Sequence, residues 1–90
     1  GVTLGEGKPV KVLLSFTPMQ AKYIKTIPIH HSQKVVKDTD KQTVISLELV
    51  LNTELKMQIL SYGENVRVLK PEHLANEIYE TAKKLIVLYE

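Results

Sequence analysis

The segment NTELKMQILSYGENVRVLKPEHL, residues 52–74, restricts the fold of this chain more than any other part. Asn52 and Thr53 can cap a helix, because their side-chain oxygens accept hydrogen bonds from the free amides of a first turn. Gly63 stands where that helix would end in a left-handed residue, a conformation that glycine adopts without steric cost. Pro71 can open a further helix, since the N–H that proline lacks would be unpaired there. The segment therefore predicts a helix, a short strand and a second helix.

The remaining elements follow from the periodicity of the apolar residues. Residues 10–16 and 43–51 alternate between apolar and other side chains as half-buried strands do, and residues 32–38 predict another strand between them. A polar turn joins the last two strands and predicts a hairpin. Thr17 begins a capping box, which predicts a helix over residues 18 to about 25.

The order of the predicted elements is β-α-β-β-α-β-α, which places the chain in the α+β class. Two split βαβ units on a four-stranded antiparallel sheet form a ferredoxin-like βαββαβ sandwich, and the right-handed crossover rule favours this topology. The helix over about residues 72–89 is additional to that sandwich. Its wide apolar stripe has two open explanations: it completes the core of this domain, or it forms an interface with another domain or a second copy.

Further apolar side chains on the helices are predicted to be buried. We expect Ile27 to face the sheet together with Ala21 and Ile24 of the first helix. The four tyrosines are expected in the core, because most of them fall on apolar helix faces. They are Tyr23, Tyr62, Tyr79 and Tyr89.

Length and composition fit one small domain, which we assign to residues 10–90. Residues 1–9 are rich in glycine and polar side chains, so we interpret them as a linker or an expression remnant. The absence of cysteine excludes disulfides, thiolate zinc sites and cysteine nucleophiles. No apolar run approaches the ~18 residues that span a bilayer. We therefore expect a cytoplasmic protein without a membrane partner.

The charge of the chain is unevenly distributed. The formal net charge is +2, which is too small to indicate a nucleic-acid partner by itself. Residues 1–41 carry seven lysines against three acidic side chains, whereas the remainder carries more acidic than basic residues. The first half can present a mildly basic surface, or these lysines form an ordinary solvated face.

A polar cluster of His30, His31, Ser32 and Gln33 is the second distinctive motif. A zinc site needs three or four converging ligands, and the chain offers one further histidine, His73, far along the sequence. A serine nucleophile needs a base and an orienting third group, and neither an elbow motif nor an acid stands nearby. We therefore predict that the cluster ties down the loop before the second strand. We predict no catalytic residue, no metal site and no cofactor.

Other functions of ferredoxin-like domains need residues that this chain lacks. RNA-recognition motifs stack bases on exposed aromatic side chains of central strands, and Phe16 stands at the end of its strand. Metal chaperones of this fold need paired cysteines. Acylphosphatase-like enzymes need an arginine-rich phosphate loop, and the only arginine, Arg67, alternates with valines and is expected on the solvent face of its strand. We therefore expect no enzymatic activity.

Several short motifs occur in order along the chain: Phe16-Thr17-Pro18, Tyr23-Ile24-Lys25, Ile29-His30-His31-Ser32-Gln33, Leu60-Ser61-Tyr62-Gly63 and Val66-Arg67-Val68-Leu69, followed by Pro71 and Leu74. Their order and spacing resemble the C-terminal extension (WCX) domain of bacterial WYL-domain helix-turn-helix transcription regulators. That domain carries similar "H-x-S-Q" and "L-S-F-G…V-x-V-L-x-P…L" patterns. The resemblance extends over nearly the whole chain.

The resemblance implies a regulatory and dimerisation domain that acts beside a WYL domain and a helix-turn-helix of the same parent chain. It implies a homodimer and an effector of the full-length protein, either nucleic acid or another anion. The candidate ligand-binding residues are the donors near the matching motifs: Lys22, Lys25, His30, Gln33 and Arg67. Charge reversal at Lys22 and Lys25 is expected to weaken the binding of an anionic effector. A stand-alone small-molecule-sensing module and a structural domain without a ligand are the alternatives.

Overall fold

The computed structural model describes residues 7–90, which form one four-stranded antiparallel sheet and three α-helices. The elements are β1 (Val10–Phe16), α1 (Pro18–Thr26), β2 (Lys34–Asp38), β3 (Thr43–Leu49), α2 (Thr53–Ser61), a 3₁₀ turn (Gly63–Asn65), β4 (Val66–Lys70) and α3 (Glu72–Val87). The predicted α+β class is confirmed. The linker prediction for residues 1–9 falls largely on residues 1–6, which lie outside the described residues.

The strands lie in the order β2-β3-β1-β4, and each neighbouring pair is antiparallel. β1 and β3 occupy the centre and pair without interruption from Val10 opposite Leu49 to Phe16 opposite Thr43. The register shifts in both outer pairings, between Val35 and Lys37 on one side and at Leu13 on the other. The edges β2 and β4 are therefore short and irregular, which is typical of strands that end a sheet.

The hydrophobic core of residues 7–90 lies between one face of the sheet and the helices. On the sheet it consists of the side chains that alternate onto this face, namely Val12, Leu14, Phe16, Ile45 and Leu47. The helices contribute Ala21, Ile24, Leu55, Ile59 and Leu74. Burial of this apolar surface is the main favourable term in folding.

Side-chain caps begin two of the helices as the sequence predicts. Thr17 accepts a hydrogen bond from the Gln20 amide, and Asn52 accepts one from the Leu55 amide at 2.8 Å. Gly63 adopts φ +60° after α2, so the predicted left-handed residue is confirmed. The predicted start of the last helix at about residue 72 is confirmed, since α3 begins at Glu72. Pro71 is the extended residue before the helix and not its first helical residue.

Some predicted positions are wrong. Ile27 is 74% exposed, because α1 has already ended and the backbone at this residue turns away from the sheet. Among the tyrosines, Tyr62 packs on the core with its ring 5.3 Å from that of Phe16 in an edge-to-face arrangement. The other three are exposed, because the core does not extend to their positions: Tyr23, Tyr79 and Tyr89, the last of which lies beyond the end of α3.

Candidate functional site

Helix α3 is divided into a buried half and an exposed half. Leu74, near its start, is fully buried, and Ile78 packs against the same core. Beyond Ile78 the helix extends past the core. The large apolar residues more than half exposed on this helix and its end are Tyr79, Leu85, Ile86, Val87, Leu88 and Tyr89, which we call the apolar end of α3. The first half of α3 therefore completes the core as one of the two explanations predicted, and the interface explanation stays a prediction for the second half.

A groove of about 690 Å³ runs beside the apolar end of α3. Its walls are the start of β4, the end of α2 and the inner side of α3, and its lining includes Ile59, Val68, Ile78, Ala82 and Leu85. The surface of the groove is mainly apolar. Tyr79 and Leu85 belong both to the groove lining and to the apolar end of α3, so the two apolar surfaces adjoin. Contiguous patches of this kind usually mark interaction sites.

The predicted ligand residues Lys22 and Lys25 lie on α1. The Lys25 ammonium donates to the Asp38 carboxylate across 2.6 Å, so Lys25 links α1 to the end of β2. The Thr43 hydroxyl donates to the other Asp38 oxygen at 2.8 Å. These two hydrogen bonds, with the one from Lys25 dominant, hold the pKa of Asp38 below its ordinary value. Lys22 is exposed.

The depressed pKa of Asp38 predicts a pH dependence of stability. Because the folded-state pKa lies below the unfolded value of about 3.8, the ionised carboxylate stabilises the fold above that pH. This contribution is lost as the pH falls through the folded-state pKa. Asp38→Asn should therefore be less stable than the parent chain at pH 7, and the difference should disappear in strong acid. Urea denaturation at pH 7 and at about pH 2 measures it; an unchanged difference would contradict the ion pair.

The loop between α1 and β2 is held by the predicted polar cluster. Gln33 accepts a hydrogen bond from the Ile29 amide at 2.9 Å and donates one to the Ile24 carbonyl at 3.0 Å. Ser32 Oγ accepts from the Glu48 amide and lies 2.8 Å from Nδ1 of His30. The loop is thereby fastened both to α1 and to β3. These contacts confirm the prediction that the cluster ties down the loop, and they delay the start of β2 to Lys34.

Gln33→Ala is expected to lower the free energy of unfolding by about 1–3 kcal/mol. The substitution leaves the Ile29 amide and the Ile24 carbonyl without their partner, and an unpaired backbone group in a partly buried site is costly. Thermal and urea denaturation measure the loss. His31→Ala is the matched control, since His31 is exposed in the same loop. An equal effect of both substitutions would contradict this role for Gln33.

The five predicted ligand residues are not brought together. Lys22 and Lys25 lie on α1, and His30 and Gln33 lie in the loop that follows it. Arg67 is exposed on β4, at the edge of the sheet opposite β2. Within residues 7–90, no group of three or more possible metal ligands converges. None of the helices in this part of the chain has the length and hydropathy needed to cross a membrane.

Comparison with known protein families shows to which family the chain belongs. A family model described as the WCX domain matches residues 8–86, which covers all four strands and nearly all of α3. The chain belongs to the WCX domain family. No curated protein matches the chain. In this WCX domain, the match ends within the apolar end of α3, and the motifs at His30, Gln33 and Arg67 all lie inside it.

Sequence reasoning missed the group of basic residues on the second face of the sheet, which is the face opposite the hydrophobic core. Lys11, Lys34, Lys37 and Lys70 are exposed there together with Arg67. Alternation of lysine with apolar residues was the available signal, since it places such lysines opposite the core side chains of the same strand. The pairing of the strands, which the sequence does not specify, was needed to show that they share one surface.

Proposed function

We propose that this WCX domain is the regulatory and dimerisation domain of a bacterial WYL-type transcription regulator. In this proposal the helix-turn-helix and WYL domains of the parent chain read the operator and take part in effector sensing, and the homodimer is held partly by α3. The role is non-catalytic, needs no cofactor and is exerted in the cytoplasm. A nucleic-acid or other anionic effector acts through the full-length protein. Membership of the WCX family supports the regulatory context.

The apolar end of α3 is the observation that carries the proposed dimer. A standard interface buries roughly 800 Å² on each partner. At the exposures of Tyr79 and Tyr89, 62% and 85%, two tyrosine side chains supply roughly 200–350 Å² of that area. The remaining four aliphatic side chains and the adjoining groove supply area of the same order. A self-complementary helix packing of α3 on α3 would bury this surface about a two-fold axis.

The proposed architecture is a ferredoxin-like sandwich with α3 as an addition to it. The strand order β2-β3-β1-β4 and the element order β-α-β-β-α-β support this assignment. In such a sandwich two helices cover one sheet face. Because α1 and α2 already do so, only the first half of α3 is needed to complete the core. The second half is therefore free to serve another chain.

Sedimentation velocity over a range of concentrations tests the proposal. The expected result is a species of twice the 10.2 kDa mass of one chain at micromolar concentration, dissociating on dilution. A single species of 10.2 kDa at every concentration would contradict a dimerisation role for this domain and would leave docking against the WYL domain as the use of α3.

A stand-alone small-molecule-sensing module is the second candidate, and the groove beside α3 favours it. Its volume of about 690 Å³ lies within the ~300–1,000 Å³ usual for ligand sites. Its lining is mainly apolar, with polar or charged side chains at Glu64, Arg67 and Asn76. A thermal-shift screen of amino acids and nucleotides tests this candidate. Stabilisation that disappears in Ala82→Trp, which fills the groove, would support it; no stabilised condition would reject it.

A further inference from the structure

We propose that the helix-free face of the sheet binds the sugar-phosphate backbone of a single-stranded nucleic acid. The inference rests on the position of basic residues in the strand register, which places them along both edges of one open surface. It deepens the anionic-effector part of the proposed function and rests on that part, but it is independent of the proposed dimer. It also assigns the anion to a different surface from the α1 side suggested by the sequence.

The second face of the sheet is left open by the helices. The buried residues of α1, α2 and α3 all join one cluster with side chains that alternate onto the first face of the sheet. The intervening residues of β1, including Leu13 and Ser15, point to the second face, opposite Ser46 and Val44 of β3. The described helices therefore leave this face available to a partner.

Two rows of directly paired residues cross the open face. One row runs from Lys34 on β2 through Ser46 and Leu13 to Lys70 on β4. Side chains directly opposite each other in adjacent strands share a face. This row therefore begins and ends with a cation on the open face.

The second row repeats this arrangement. It runs from Lys37 on β2 through Val44 and Ser15 to Arg67 on β4. The middle positions carry small or apolar residues, and Val44 and Ser46 among them are buried. Each edge strand thus carries two cations on the open face, Lys34 and Lys37 on β2 and Arg67 and Lys70 on β4. We call the surface between these two edges the basic track.

The charges of the track favour an anionic partner over a second copy of the chain. Lys11 brings the number of basic side chains on this face to five, and Glu48, opposite it, is the one carboxylate among the paired positions of this face, since the paired Asp38 alternates onto the other face. Within residues 7–90, none of the five basic groups forms an ion pair. Two such faces would repel each other, whereas a polyanion would release its counterions on binding. A self-associating surface is therefore expected on α3 and not here.

The shape of the track selects a single strand and its backbone. Three strand spacings separate the two basic edges, which is about 14 Å. A single strand is flexible enough to follow such a track, whereas a flat sheet offers no helix or ribbon to enter a duplex groove. The paired positions of the open face carry no aromatic side chain on which a base could stack. Recognition should therefore depend on phosphate charge and show little sequence preference.

Fluorescence anisotropy with a labelled thymidine 20-mer tests the inference at several salt concentrations. The face variant carries Lys34→Gln, Lys37→Gln, Arg67→Gln and Lys70→Gln. The control variant removes the same charge from the helices through Lys22→Gln, Lys25→Gln, Lys56→Gln and Lys84→Gln. Circular dichroism confirms that both variants remain folded. The face variant should bind at least tenfold more weakly at 50 mM salt, and its plot of log affinity against log salt should be shallower by about 2–3.

Several results would overturn the inference. They are no binding by the parent chain at 50 mM salt, equal losses in the two variants, a larger loss in the control variant, or tighter binding of a duplex of the same length. Displacement of the oligonucleotide by a lower concentration of poly-glutamate would also overturn it, in favour of an acidic protein partner. A larger loss in the control variant would leave the anionic effector standing but place it on the helices and not on the open face of the sheet. The dimer is measured separately by sedimentation, so its failure and the failure of this inference are distinguishable.

Discussion

Leu74→Ala is expected to lower the free energy of unfolding by about 2–5 kcal/mol. Leu74 is fully buried and belongs to the core cluster that joins α3 to the sheet. Its truncation removes apolar contacts and leaves a cavity between the helix and the strands. A small domain has only about 5–15 kcal/mol of stability in total, so the loss should be a large fraction of it. Urea denaturation followed by circular dichroism measures this value.

The same substitution at Leu85 is the matched control for Leu74→Ala. Leu85 lies on the same helix and is 52% exposed, so its truncation within one chain should cost less than about 1 kcal/mol. The comparison is made at a concentration at which both variants are monomeric. Similar losses at both positions would contradict the division of α3 into a buried half and an exposed half.

Ile86→Asp is expected to dissociate the proposed homodimer. Ile86 is 56% exposed in the centre of the apolar end of α3, and a carboxylate there would be buried without a partner on association. Central apolar positions of an interface commonly cost 2 kcal/mol or more when changed, and two symmetric sites double the effect. The dissociation constant should therefore rise at least about a hundredfold. Sedimentation equilibrium measures it.

Lys84→Asp is the control for Ile86→Asp, because it introduces the same side chain two residues earlier. Lys84 is exposed on α3 and is not among its apolar residues. Its replacement should leave the dissociation constant within a few-fold of the parent value. Dissociation by both variants to the same extent would mean that charge near the end of α3, and not its apolar surface, governs association.

Most of the fold could be predicted because its signals are local. Thr17 and Asn52 cap helices within three residues, and Gly63 ends one through its own backbone conformation. Alternation in β1 and β3 identified the core face, since the side-chain period of a strand is fixed. Such features depend on neighbouring residues in the sequence. They therefore hold without knowledge of the tertiary structure.

The errors arise where burial depends on distant residues. Ile27 follows the periodicity of α1 but lies beyond its end, where the backbone no longer turns helically. Tyr79 lies on an apolar helix stripe, but the core it would need ends near Ile78. Periodicity identifies a stripe without showing how far along the helix a partner surface extends. The same limit left the role of α3 open at the sequence level.

The surfaces proposed for function could be predicted only in part. The apolar width of α3 was visible in the sequence, whereas the basic track needed the pairing of β2, β3, β1 and β4. Lys34 and Lys70 are far apart in sequence and occupy the two ends of one row. Gln33 and Lys25 were predicted to contact a ligand. In the structure Gln33 bonds to the Ile24 carbonyl of α1, and Lys25 bonds to Asp38. Their contact with an effector stays a prediction.

Hydrogen exchange can show whether the apolar end of α3 meets a second copy of the chain. The backbone amides of Leu88, Tyr89 and Glu90 are bonded within the last turns of the helix and should fray readily in the monomer. Exchange is measured by mass spectrometry below and above the concentration at which the mass doubles. We expect slower exchange over residues 79–90 in the dimer and unchanged exchange in β1. Unchanged exchange over residues 79–90 while the mass doubles would place the interface elsewhere and rule out the proposed role of α3.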